Sequence, residues 1–233
     1  MDFSEVKTPL TLKQVDSLYW LGRYAERVLS SLRVFMQVYD SQLDTTFDYA
    51  NYCEKLDIYN GFASLADFCR RYAFDEGYQS SILCSATCAN GNAMMLRDII
   101  GSECLSYVEL ALRAVADAAL SETPVLHFQR AVDCIMAFKG AVFDTVQDRN
   151  AYNIIRCGFG VERLDFYLRL GIHEQTVLFE SRRLARALSY TDVDCDSLQL
   201  QKITGALCEL DDFTDRADKM VLLQLIDSLF AFA

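Results

Sequence analysis

Residues 18–33 read Leu-Tyr-Trp-Leu-Gly-Arg-Tyr-Ala-Glu-Arg-Val-Leu-Ser-Ser-Leu-Arg. Leu18, Gly22, Ala25, Leu29 and Leu32 recur at steps of three and four, and Met36 extends the series. That spacing draws one apolar stripe along a helix of 3.6 residues per turn. The period holds from about 12 to 40, with Thr11 placed as an N-cap.

The helical pattern continues outward from this stretch. The segment 41–61 carries turn residues and room for a short helix. A helix over about 62–73 ends at Asp75-Glu76-Gly77. Helical spacing returns from about 79 to 120, with Gly91 and Gly101 as soft points. Pro124 suits the first turn of a helix reaching about 147. Asp148-Arg149-Asn150 interrupts it, and the pattern then runs to about 190. Thr191-Asp192-Val193-Asp194 reads as a turn, and a last helix or helix pair fills 196–231. The whole chain holds two prolines and ten glycines, far too little punctuation for a sandwich that turns every 8–12 residues. The expected fold is all-α, an elongated multi-helix bundle.

The opening stretch has an echo. Residues 22–33 and 158–169 both follow Gly-x3-Glu-Arg-x4-Leu-Arg. This predicts a degenerate two-fold repeat within a single domain spanning 1–233, one half over about 12–120 and the other over about 124–233. At about 100° per residue, Gly22, Glu26 and Arg33 fall on one line of their helix. Gly158, Glu162 and Arg169 repeat that line. Each glycine admits close approach of a backbone or a ligand. Each glutamate sits beside the apolar stripe, where an unpaired charge would be very costly. Two readings follow. In one, the copies lock together, Glu26 pairing with Arg169 and Glu162 with Arg33. In the other, the same groups line a polar cleft, where the planar donor fork of arginine suits carboxylate or phosphate.

Composition narrows the function. The 233 residues are 52% apolar and carry a net charge of −11. An acidic chain without a long basic run is not expected to bind nucleic acid or an anionic membrane surface. No apolar stretch reaches about 18 residues without a charge, so no membrane span is expected. The opening Met-Asp-Phe-Ser-Glu-Val-Lys lacks the regions of a signal peptide, which leads to a cytoplasmic expectation. Nine irregularly spaced cysteines read as small buried side chains in a reducing compartment. Cys84-x3-Cys88 lacks the further ligands that structural zinc requires, so no metal is expected. His127 and His173 do not pair, and His173 reads as a packed or capping residue. Arg182, Arg183 and Arg186 form a basic patch, either a solvated helix face or a docking site for an acidic partner or substrate. Tyr39, Tyr49, Tyr52 and Tyr59 read chiefly as core packing.

These motifs carry a resemblance. Leu18 to Arg27 resembles the opening motif of the bacterial alpha-E domain family, an all-helical family named for its Glu-Arg motif. Phe74-Asp75 with Ser80-Ser81-Ile82 resembles its middle segment. Asn92-Ala93 and Leu96-Arg97-Asp98 resemble its central helix, although Gly91 and Met94 stand where the family carries Glu and Arg, and Leu105 where it carries Trp. Gly140 to Thr145, Arg149, and Gly158 to Arg163 resemble its second half. The resemblance covers about 12–172. It implies a context of circularly permuted ATP-grasp proteins, which are predicted amide or peptide ligases.

The resemblance thus implies an accessory subunit of such a ligase. Its cleft would hold a carboxylate- or amine-bearing peptide or amino acid through Arg23, Glu26, Arg27, Arg33, Asn92, Arg97, Arg149, Glu162, Arg163 and Arg169. The chain itself is expected to bind no cofactor, since Gly158-Phe-Gly160 is too short for a phosphate loop. The partner ligase would supply ATP and Mg²⁺. Two alternatives stand beside this: a stand-alone enzyme with Glu26 or Glu162 as acid or base, and a structural module in which the Glu-Arg pairs only lock the repeats. An acidic surface rich in aromatics leaves room for a homo-oligomer.

Overall fold

A computed structural model of the chain describes residues 9–41 and 47–192, with isolated positions between 201 and 226. The described residues form α-helices and no strand: α1 Leu12–Ser41, α2 Tyr49–Leu56, α3 Leu65–Phe74, α4 Ile82–Met95, α5 Arg97–Ala118, α6 Pro124–Thr145, α7 Arg149–Leu170 and α8 Glu174–Leu188. The all-α expectation therefore stands. Most of the helix expected over 196–231, along with Val193 and Asp194, lies outside the described residues.

Short polar side chains set the helix starts. Thr11 accepts from the Gln14 backbone N–H at 3.2 Å, while the Gln14 side chain accepts from the Thr11 backbone N–H at 2.9 Å. This reciprocal capping box satisfies two donors that would otherwise be orphaned. Asp48, Ser64, Ser81 and Asp148 cap α2, α3, α4 and α7 from one side only, each side chain accepting a backbone N–H. Pro124 opens α6 as expected.

Two breaks differ from the sequence expectation. Gly91 lies inside α4, and the joint with α5 falls at Leu96 (φ −100°, ψ 8°). The core decides this: α4 buries Ile82, Leu83, Ala86, Ala89 and Ala93 along one face, which holds the helix through its glycine. Gly101 is a true departure, with φ +80° and ψ 164° inside α5. Further on, the pattern from 149 to 190 is two helices. Gly171 adopts the left-handed conformation (φ 70°), its N–H bonds the Leu168 carbonyl, and Ile172 N–H bonds the Tyr167 carbonyl. That closes α7 with a Schellman turn. His173 then caps α8, its Nδ1 accepting from the Gln175 backbone at 3.3 Å.

Helix α1 is central and packs against α4, α6 and α7. The α5–α6 hairpin covers one side, and α8 packs on α7. Leu18, Ala25, Leu29 and Leu32 are fully buried, so the apolar stripe of α1 is core. An aromatic cluster closes one end. Phe68 stacks on Tyr72 at 5.1 Å and meets Tyr49, Tyr52 and Phe62, while Phe35 bridges to Phe128. Tyr49 and Tyr52 thus serve packing, whereas Tyr59 is exposed.

Candidate functional site

The glycine of each motif permits the contact that builds the site. A Cβ on Gly22 would lie 2.2 Å from the Ile155 carbonyl oxygen, and one on Gly158 would lie 2.2 Å from the Tyr19 carbonyl oxygen. Neither fits, so α1 and α7 touch backbone to backbone. One turn beyond the contact, the two Glu-Arg pairs face each other and exchange partners.

Arg163 donates through Nε to Glu26 Oε1 at 2.7 Å and through Nη2 to Glu26 Oε2 at 2.8 Å. Arg27 donates through Nε to Glu162 Oε1 at 2.5 Å and through Nη2 to Oε2 at 3.0 Å. Each glutamate thus takes a two-pronged arginine from the opposite helix, the strongest geometry available to such a pair. Extra donors complete each side. Lys139 Nζ of α6 and Ser30 Oγ donate to Glu26. Arg23 Nε donates to Glu162 at 2.7 Å.

This corrects the pairing expected from the helical line. Neither Arg33 nor Arg169 reaches a motif glutamate. Arg33 is exposed, with Nη2 3.6 Å from Met136 Sδ, and Arg169 binds Asp165 on its own helix at 3.0 Å. Each lies about 16 Å along the axis from its glycine. Close approach is confined to the glycine contact, and a cavity has opened between the helices where Arg169 stands.

Burial and pairing work against each other on the two carboxylates. Burial alone would raise the Glu26 pKa, but the Arg163 and Lys139 bonds outweigh it and hold the group below the usual range. Burial likewise opposes ionisation of Glu162, and Arg27 and Arg23 override it. Lys139 is pushed down by desolvation, which Glu26 partly offsets. Each carboxylate is 1% or 3% exposed, held ionised, and engaged on both oxygens.

The locks are flanked by open space. Beside Glu162 lies a cavity of about 290 Å³ lined by Arg23, Arg27, Ser31, Tyr72, Ser80, Asp165 and Arg169, with Leu56, Ile58 and Phe166 as its apolar wall. Arg27 and Arg169 keep terminal nitrogens unused by any bond among the described residues. Beside Glu26 lies a second cavity of about 220 Å³, reached by Arg163. Among the sequence candidates, Arg23, Arg27, Glu162 and Arg169 converge on the first, Arg163 lines the second, and Glu26 lies behind it. Arg33, Asn92, Arg97 and Arg149 line neither. Arg97 Nη2 lies 3.4 Å from Ser102 Oγ, and Arg149 sits over the Tyr190 ring at 4.3 Å.

Sequence reasoning missed Lys139, Glu180 and Arg156 at the second cavity, and it named Arg183 only as part of the basic patch with Arg182 and Arg186. One signal was there. Lys139 is the lone lysine of α6, set in an apolar run, and such a residue usually needs a partner. Among the described residues, no group of three or more His, Cys, Asp or Glu side chains could hold a metal ion, and no helix is long and apolar enough to cross a membrane.

A helical bundle centred on two partner-exchanging Glu-Arg pairs defines a class by its fold and motif. The chain belongs to the Alpha-E family, described as a predicted alpha-helical domain with a conserved ER motif, whose model matches residues 11–231. The match extends past the 12–172 that the motifs covered, so the C-terminal part is also family sequence. No curated protein and no solved structure matches the chain.

Proposed function

We propose that the chain is the accessory subunit of a circularly permuted ATP-grasp amide ligase, and that the cavity beside Glu162 holds a peptide or amino-acid substrate by its carboxylate. The observation that carries this reading is the division of labour around Glu162. Glu162 is consumed in fixing Arg23 and Arg27, and Asp165 in holding Arg169, which leaves arginine terminal nitrogens as the uncommitted charged groups at the cavity. Fixed guanidinium groups bind and orient, and they do not transfer protons near neutral pH. That suits a subunit that presents a substrate while its partner supplies ATP, Mg²⁺ and the chemistry. Family membership supports the context.

The test is reconstitution. An ATP-grasp protein recovered with the tagged chain from its own cell extract is assayed for ATP-dependent amide formation, with and without the chain. Turnover is expected to need the chain and to fall with Arg169→Gln, whose fold is checked by circular dichroism. Turnover indifferent to the chain, or no ATP-grasp protein recovered, overturns the reading.

A further inference from the structure

The second cavity is more strongly cationic than the first. Lys139, Arg156, Arg163 and Arg183 line it, and Glu180 is its single lining carboxylate. On a chain of net charge −11, four cations around about 220 Å³ form a local reversal of sign. Mutual repulsion among them needs a counter-charge, and the protein supplies only part of it.

The donors already spent can be separated from those that remain. Arg163 has all three nitrogens engaged: Nε and Nη2 hold Glu26, and Nη1 holds Glu180 at 2.9 Å. Lys139 uses one N–H on Glu26 and lies 4.6 Å from the Phe159 ring centre. Arg156 spends Nη1 on Asn153 at 3.1 Å and rests over Tyr152. Arg183 spends Nη1 on Glu180 at 3.0 Å. An arginine carries five N–H donors and a lysine three. Arg156, Arg183 and Lys139 therefore retain donors that no group among the described residues accepts. The apolar part of the lining is made by Val142, Phe159, Leu184 and Ala187.

We propose that this cavity is an anion site for a carboxylate or phosphate carried on a short apolar body, with Arg156, Arg183 and Lys139 binding the head and the Val142–Phe159–Leu184 wall taking the body. Arg163 and Glu180 position the head-binding groups without spending donors on the ligand. The site stands whether or not the ligase reading does, because it uses none of the groups lining the first cavity.

Isothermal titration calorimetry of the full chain with n-butyl phosphate and with butyrate tests it. One saturable site is expected for at least one probe at up to about 10 mM, weakened by added salt. The tighter probe names the head group. Arg183→Gln, at a half-exposed side chain, is expected to weaken binding about tenfold, and Arg156→Gln likewise. Arg182→Gln on the same helix should leave it unchanged. Circular dichroism melting confirms that each variant is folded. If Arg156→Gln fails to fold, Arg183→Gln carries the test alone. No binding of either probe, or binding that survives Arg183→Gln, overturns the proposal.

Discussion

Gly22 and Gly158 meet across the α1–α7 crossing with no room for a side chain on either. The Cβ positions lie 3.1 Å and 3.0 Å from the facing glycine's Cα, and each is blocked by a carbonyl oxygen at 2.2 Å. The obstacle is backbone in both directions, so neither helix relieves it by changing a rotamer. Gly22→Ala and Gly158→Ala should each destabilise by about 3 kcal/mol or more, the upper range for overpacking. Gly140→Ala is the control. It sits mid-helix with nothing within 4 Å of the new methyl, and should stabilise by about 0.4–1 kcal/mol. Denaturant midpoints for the three variants decide this, and equal midpoints for Gly22→Ala and Gly140→Ala would exclude the backbone contact.

The same crossing predicts which charges are coupled. Removing one partner of a buried pair leaves the other uncompensated, at a cost of about 3–5 kcal/mol. Glu162→Ala and Glu26→Ala should fall in that range. A double-mutant cycle between Glu162 and Arg27 should return a large coupling energy, and one between Glu162 and Arg33 a value near zero. A strong coupling to Arg33 would restore the pairing drawn from the helical line.

Stability should fall on acidification, and the sign follows from the two locks. Glu26 and Glu162 have folded-state pKa values below their ordinary ones. The unfolded chain therefore binds more protons as pH drops through the ordinary glutamate range, near about 4.3. Their contribution is complete above that range and is lost as pH falls through the folded values. Asp165 has the opposite sign. Burial raises its pKa despite Arg169, so its ionisation costs stability as pH rises through the folded value. Asp165→Asn should thus raise stability at neutral pH, while Glu162→Gln should flatten the acid limb. Unfolding midpoints between about pH 7 and pH 3 measure both slopes.

The fold was legible where a helix carries its own signal. The stripe from Leu18 to Met36 and the Thr11 cap placed α1 at about 12–40 against Leu12–Ser41, because apolar period and capping are local. The breaks at Leu96 and Gly171 were not placed. A leucine gives no stop signal, and the periodic pattern of α7 runs into that of α8 across a three-residue connection. The site was legible in part for the same reason. Gly-x3-Glu-Arg announces a close approach and a buried pair. The partner depends on how two helices cross, and no single-helix line reports that. Lys139 and Glu180 come from α6 and α8, where nothing in the local spacing points at Glu26.

The Glu26 lock also ranks its own two cations. Arg163 binds both carboxylate oxygens and braces Glu180, whereas Lys139 contacts one oxygen and loses much of its hydration to do so. With Lys139→Met, Glu26 keeps its two-pronged partner and a costly buried ammonium is gone. The net loss should be small, about 1 kcal/mol or less. With Arg163→Met, Glu26 retains only the lysine and Ser30, Glu180 loses a partner, and the loss should reach about 3 kcal/mol or more. Titration of the Glu26 carboxyl by carbon NMR gives a second readout. Its pKa should stay below the ordinary value in Lys139→Met and rise further in Arg163→Met. Equal losses in the two variants, or a larger one for the lysine, would make α6 rather than α7 the main partner of α1 at this glutamate.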